Sequence, residues 1–209
     1  MSLITKLFQY VLLTSSKNNI DESHGLGHSM NVLNFAHCIF QNEVSKNPSL
    51  VEQERLIYVS AILHDMCDKK YVDENKGLSD IEDFLHNKLT YKEVEVVKKI
   101  ISTMSYTKVK KEGFPDLYEY QTAYNIVRES DLLSAYDFDR CMIYNMNKKD
   151  GNIYDAFCDA HLLFENRVLK HNDDNLFITQ YAREKSIELH RHSLTRMNSW
   201  KSIMKTPLL

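Results

Sequence analysis

Five glycines and three prolines are spread over 209 residues, and this scarcity of backbone breakers limits the fold more than any single motif. A strand-rich chain turns every dozen residues or so, and its turns commonly use Gly and Pro. With so few such breakers, an all-α fold is expected. Helix starts are legible too. Ser49 with Glu52, Ser79 with Glu82 and Thr90 with Glu93 each match the capping box, in which a hydroxyl and a carboxylate satisfy two orphan backbone N–H groups. After Thr90, the apolar residues Val94, Val97, Ile101 and Met104 recur at three- and four-residue steps, while Lys98 and Lys99 face water; this is the pattern of an amphipathic helix.

The same reasoning predicts helices near 2–14, 24–45, 50–65, 79–87, 91–104, 120–136, 153–169 and 176–198, joined by polar loops at 66–78, 105–118 and 145–152. No internal repeat is present. A length of 209 residues with 43% hydrophobic content supports one substantial core. We expect a single domain over 1–209, with its core at about 20–136 and the helices of the Tyr154–Trp200 region packing on it.

Net charge is −3 and the sequence pI about 6.3, so the basicity that binds nucleic acid polymers is missing. A small phosphorylated ligand remains open, because a few Lys or Arg side chains suffice to hold one. The apolar run Leu3 to Leu13 is broken by Lys6, Gln9 and Tyr10 and falls short of the roughly 20 apolar residues of a membrane span. No membrane association is expected. Cys38, Cys67, Cys141 and Cys158 form no C-x-x-C pair, which fits a reducing, intracellular, cytoplasmic setting better than a zinc knuckle.

Three stretches carry chemistry. In Ala61-Ile62-Leu63-His64-Asp65 an apolar helix ends in an imidazole beside a carboxylate. Such a pair is costly to bury alone, and a shared cation would compensate. A helix terminus whose histidine meets the last carbonyls gives the same dipeptide. Upstream, Asp21-Glu22-Ser23-His24-Gly25-Leu26-Gly27-His28 leads into an apolar helix face. Here one of His28 and His24, about one turn apart, could ligate a metal while the other binds a substrate, although either one in isolation reads as a surface or core histidine. Downstream, Asp131 sits within the apolar pattern Ile126 to Ala135 and needs a cation or hydrogen bonds if buried. Glu129, two positions away, points elsewhere on the helix, by default toward solvent.

The order His28, His64-Asp65, Asp131 resembles the H, HD, D pattern of the HD-domain metal-dependent phosphohydrolases, across most of residues 20–136. His64-Asp65-Met66-Cys67-Asp68-Lys69-Lys70-Tyr71 is most similar in appearance to the HD-x-x-D-x-K-aromatic run of the small single-domain nucleotide pyrophosphohydrolases in that superfamily. Ile100 to Tyr106 is similar to the helix end before their substrate loop. Leu132 and Ser134 depart from it, since those relatives usually carry Arg and Asp there.

The resemblance implies a helical bundle of the HD type and one divalent cation on His28, His64, Asp65 and Asp131. Manganese is favoured, with iron, cobalt, nickel or zinc as alternatives, because magnesium suits two nitrogen ligands poorly. Such a cation acidifies water and polarises a phosphoryl oxygen. Asp68, one turn beyond Asp65, is the general acid/base candidate. His24, Lys70 and Tyr106 are substrate-binding candidates, Tyr71 and Tyr106 are candidates to stack on a base, and Lys108, Lys110 and Lys111 could add phosphate contacts. Nucleoside triphosphate hydrolysis to monophosphate and pyrophosphate is the favoured reaction. The alternatives are a nucleoside monophosphate phosphatase, a signalling-nucleotide hydrolase, or a non-catalytic metal-containing module that binds a nucleotide or a partner protein. A second metal on His161, His171, His190 and His192 is poorly supported, since His190 and His192 cannot share a helix face.

Overall fold

The computed structural model describes residues 1–205, and these form ten α-helices with no strand among the described residues. In chain order they are α1 (Leu3–Asn18), α2 (Leu26–Val44), α3 (Glu54–Leu63), α4 (Glu74–Leu85), α5 (Tyr91–Thr103), α6 (Tyr106–Glu112), α7 (Gln121–Ser134), α8 (Phe138–Lys148), α9 (Ile153–Asn166) and α10 (Gln180–Lys205). Short 3-10 turns at Pro48–Gln53, Tyr118–Tyr120 and Val168–Lys170 join them. The last four residues of the expected 1–209 domain lie outside the described ones.

Helices α2, α3 and α7 pack against one another at the centre. Val32, Ala36 and Ile39 of α2, Ile57, Ala61 and Ile62 of α3, and Ala123, Ile126 and Val127 of α7 are fully buried there. Full burial of one such Val, Leu or Ile side chain contributes about 1.5–3 kcal/mol, so this triad of helices carries much of the bundle's apolar stabilisation. Helices α1 and α5 flank α3, α8 pairs with α9, and α10 runs across α2 and α7 to α8 and α9. One apolar cluster extends from Leu7 to Met197.

Of the three capping boxes, only Thr90 with Glu93 forms. Ser49 lies inside the 3-10 turn begun by Pro48, and its hydroxyl donates to Asn47 Oδ1 instead. Proline needs no N–H partner in a first turn, so the turn starts upstream of Ser49. Ser79 is internal to α4, because Asp73 accepts from the Lys76 N–H and starts the helix earlier. The expected loop at 105–118 contains α6, capped by Ser105, and the loop at 145–152 begins inside α8, capped by Asp137. Buried Phe138, Met142 and Asn145 mark the inner stripe of α8.

Glu129 is not solvent-facing. It is fully buried and accepts from the Ile178 N–H, the Thr179 N–H and the Thr179 hydroxyl. Arg128 lies 3.2 Å from it and also donates to the Leu176 carbonyl. This anchoring holds residues 176–179 on α7, so α10 begins at Gln180 and not at 176. No helix among the described residues is long and apolar enough to cross a membrane.

Candidate metal centre

Core packing brings His28, His64, Asp65 and Asp131 to one point. His28 stands in the first turn of α2, and α3 ends at Leu63 in tight turns closed by Met66 N–H to the Leu63 carbonyl and Asp68 N–H to the Asp65 carbonyl. Helix α4 closes directly on that turn. A Cβ on Gly77 would lie 2.7 Å from Cys67 Cβ, so only glycine fits there. Asp131 reaches in from α7, the third helix of the central group.

The His28 and His64 Nε2 atoms are 3.0 Å apart. Asp65 Oδ2 lies 3.1 Å from the first and 3.3 Å from the second, and Asp131 Oδ1 lies 3.4 and 3.6 Å from them. With metal–ligand bonds of about 2.1 Å, ligand atoms stand about 3.0 Å apart at right angles and about 3.4 Å apart at the tetrahedral angle. The observed separations match the edges of a coordination polyhedron. Asp65 Oδ2 is buried and makes no hydrogen bond, an omission a cation would correct. His28, His64 and Asp65 thus form a buried group able to hold a metal ion, and it is the one such group among the described residues.

Electrostatics point the same way. Burial alone would raise the Asp65 and Asp131 carboxyls, yet the facing imidazoles hold both well below the usual carboxylate range. Burial would lower His64, and Asp65 and Asp131 raise it well above its ordinary value. Its Nδ1–H donates to the Ala61 carbonyl at 2.9 Å, leaving Nε2 to face the carboxylates. Groups that favour a proton so strongly at one point also favour a divalent cation replacing it. Behind His28, Nδ1 is 3.4 Å from Ser134 Oγ and 2.9 Å from an Arg140 nitrogen. The Asp131 side chain is 30% exposed against 14% for Asp65, so the group opens on the Asp131 side.

It opens into a cleft of about 280 Å³. Asp68, His24, Lys70, Tyr106 and Lys108 all line it, whereas Lys110 and Lys111 do not. Asp68 is turned toward Lys70: one oxygen accepts the Lys70 N–H at 2.9 Å and the other is 3.4 Å from its ammonium. Asp21 accepts from the Ser23 and Tyr71 hydroxyls. Both hydroxyl protons are thereby committed, so His24 Nδ1–H donates to their oxygens and Nε2 accepts from Lys70 Nζ at 3.3 Å. Burial, chiefly, pushes the His24 imidazole down to about 4, which keeps it neutral near pH 7. Lys108 is paired with Glu74 and donates to the Ser102 carbonyl. Tyr106 donates to Asp174 at 3.2 Å, and Arg167 lies 4.3 Å from its ring centre.

Arg140, Arg167 and Tyr144 complete the far wall, and sequence reasoning missed all three. Arg140 donates to the Ser23 carbonyl at 2.8 Å. Tyr144 packs edge-on to His24 beneath Lys148. One signal was present for Arg167. Phe157, Ala160 and Phe164 form the buried stripe of α9, and Arg167 continues it at the next three-residue step, where an apolar residue is the norm.

The four downstream histidines do not assemble. His161 faces Glu165 at 3.5 Å, and His171 is buried between Tyr106, Tyr136 and Phe177 with neither ring nitrogen hydrogen-bonded.

No protein-family model matches the chain, and no curated protein matches it in sequence. In structure it is similar to a structural-genomics protein from Lactobacillus plantarum, with a TM-score of 0.71 at 17% identity over 96% of each chain. That likeness extends over nearly the whole bundle and carries the fold alone.

Proposed function

We propose that this chain is a divalent-metal-dependent phosphohydrolase of the HD type acting on a small phosphorylated molecule, with nucleoside triphosphates as the favoured substrates. The observation that carries the reading is the convergence of His28, His64, Asp65 and Asp131 donor atoms at coordination-edge distances, in the order H, HD, D, at the base of a cleft lined with cations. Two imidazoles and two carboxylates suit manganese, iron, cobalt, nickel or zinc. When bound, the cation supplies Lewis acidity for a phosphoryl oxygen and for water.

The chain's own groups supply the rest. Lys70, oriented by His24 and Asp68, meets phosphate charge at the cleft edge. Asp68 is the carboxylate on the wall nearest the Asp65 turn and takes the proton of the attacking water. Leu163, the exposed apolar side chain of the lining, offers a surface to the remainder of the substrate.

The test is a hydrolysis panel of nucleoside mono-, di- and triphosphates with manganese, with the released phosphate species identified. Pyrophosphate from triphosphates supports the favoured reaction, and orthophosphate from monophosphates moves the assignment to a phosphatase. A metal-loaded protein inactive on the whole panel would leave a binding module, the reading that Asp68's engagement by Lys70 and the Leu132 and Ser134 departures favour.

A further inference from the structure

Three arginines in the chain are not exposed: Arg128, Arg140 and Arg167. Arg128 is matched by Glu129 and the Leu176 carbonyl, and Arg140 by the Ser23 carbonyl. Arg167 has no such match. Among the described residues no carboxylate lies within 4.0 Å of its guanidinium, which makes no hydrogen bond and whose recorded contact is the Tyr106 ring at 4.3 Å. Its charge is disfavoured by burial first, with Asp131 the main opposing influence. A desolvated cation without a partner is a cost that a fold normally avoids.

The brace under it is well made. The Tyr106 hydroxyl donates to Asp174, and Asp174 is also held by Lys110 at 2.9 Å. Stacking on a ring engages the flat face of a guanidinium and leaves its in-plane N–H donors unspent. Arg167 lines the same cleft as Asp131, the carboxylate whose charge acts on it most.

Charge bookkeeping indicates what they await. Within the lining, Lys70 stands against Asp68 and Lys108 against Glu74. A divalent cation would balance Asp65 and Asp131. Lys69, Arg140 and Arg167 then remain uncancelled. A phosphate monoester carries about two negative charges near neutral pH, and each further phosphoryl group in a chain adds to that. Three positive charges without an opposing carboxylate, beside a metal, match a substrate with more than one phosphoryl group.

We propose that Arg167, braced on Tyr106, is a specificity-determining residue that holds a phosphoryl group beyond the reacting one and so selects di- and triphosphates over monoesters. This rests on the phosphohydrolase reading for its meaning, but its test does not need turnover. With manganese at fixed excess, calorimetry would compare methylenediphosphonate, a non-hydrolysable pyrophosphate analogue, with orthophosphate on wild type, Arg167→Gln and Arg167→Lys. Loss of charge-assisted hydrogen bonds should weaken the diphosphonate about 10- to 100-fold in Arg167→Gln, with orthophosphate changed less than about threefold. Arg167→Lys keeps charge but not the stacked fork, and should recover only part of the loss. Tyr106→Leu should lose the diphosphonate preference in the same direction. Unchanged diphosphonate binding in Arg167→Gln, or an equal loss for both ions, would overturn the proposal. Arg167-dependent diphosphonate binding by a protein that hydrolyses nothing supports this inference while removing the enzymatic reading.

Discussion

On the floor of the cleft, donor atoms from α2, the end of α3 and α7 are held by the most buried packing in the molecule. On the wall, Arg140 stands between the Ser23 carbonyl and His28 Nδ1, and Arg167 rests on one tyrosine ring. The floor is fixed by the core, since moving His64 means moving Ile62 and Leu63, both fully buried. The wall stands on α8 and on the turn after α9, outside the central group of helices. A bundle built this way can keep its donor group constant while the wall around it changes.

The largest effect should follow from cutting the floor. His64→Ala should reduce manganese affinity by more than about 100-fold, beyond the 10- to 100-fold typical of an outer partner, and abolish any hydrolysis; equilibrium dialysis reads this directly. Glu129 sharpens the contrast from within one helix. It lies two residues before Asp131 but anchors backbone and not metal, and Glu129→Ala leaves Arg128 buried without its carboxylate. A loss of about 3–5 kcal/mol in denaturant unfolding is expected, with metal affinity of the folded fraction retained.

Smaller effects come from groups behind the wall. His171 is pushed down to about 3 by burial first and the Arg167 charge second. Its folded value is below its unfolded one, so the unfolded chain takes the proton first, and stability falls as pH drops from about 6.5 toward 3. By linkage this amounts to about 2 kcal/mol at pH 5, to which His24 adds for the same reason. In chelator-treated protein His171→Phe should flatten the slope between pH 7 and 5; an unaltered slope would show that His171 titrates normally. The smallest change expected is in Tyr71→Phe. Ser23 still satisfies Asp21, so the cost is about 1 kcal/mol in denaturant unfolding.

The floor was legible in sequence and the wall was not, for a physical reason. Carboxylates and imidazoles set into apolar helices contradict the local pattern, and at Ala61–Asp65 and Ile126–Ala135 the contradiction is itself the signal. Arg140 and Tyr144 sit on the half-buried flank of a helix that was partly taken for a loop, so nothing local marked them. Glu129 misled for the opposite reason, because its partners come from residues 178 and 179, some 50 positions away, and spacing within α7 says nothing about them. Caps showed the same limit. Thr90 with Glu93 formed as expected, while Pro48 and Asp73 each started their helical segments ahead of an equally good-looking serine.

The most direct test is the metal content of purified protein, wild type beside His64→Ala and Asp131→Ala, after dialysis against manganese. One divalent ion per chain in the wild type, lost in both variants while their helical signal is kept, is the expected result. A wild type that retains no metal, or variants that retain it as well as wild type, would contradict the assignment of His28, His64, Asp65 and Asp131 as a metal centre.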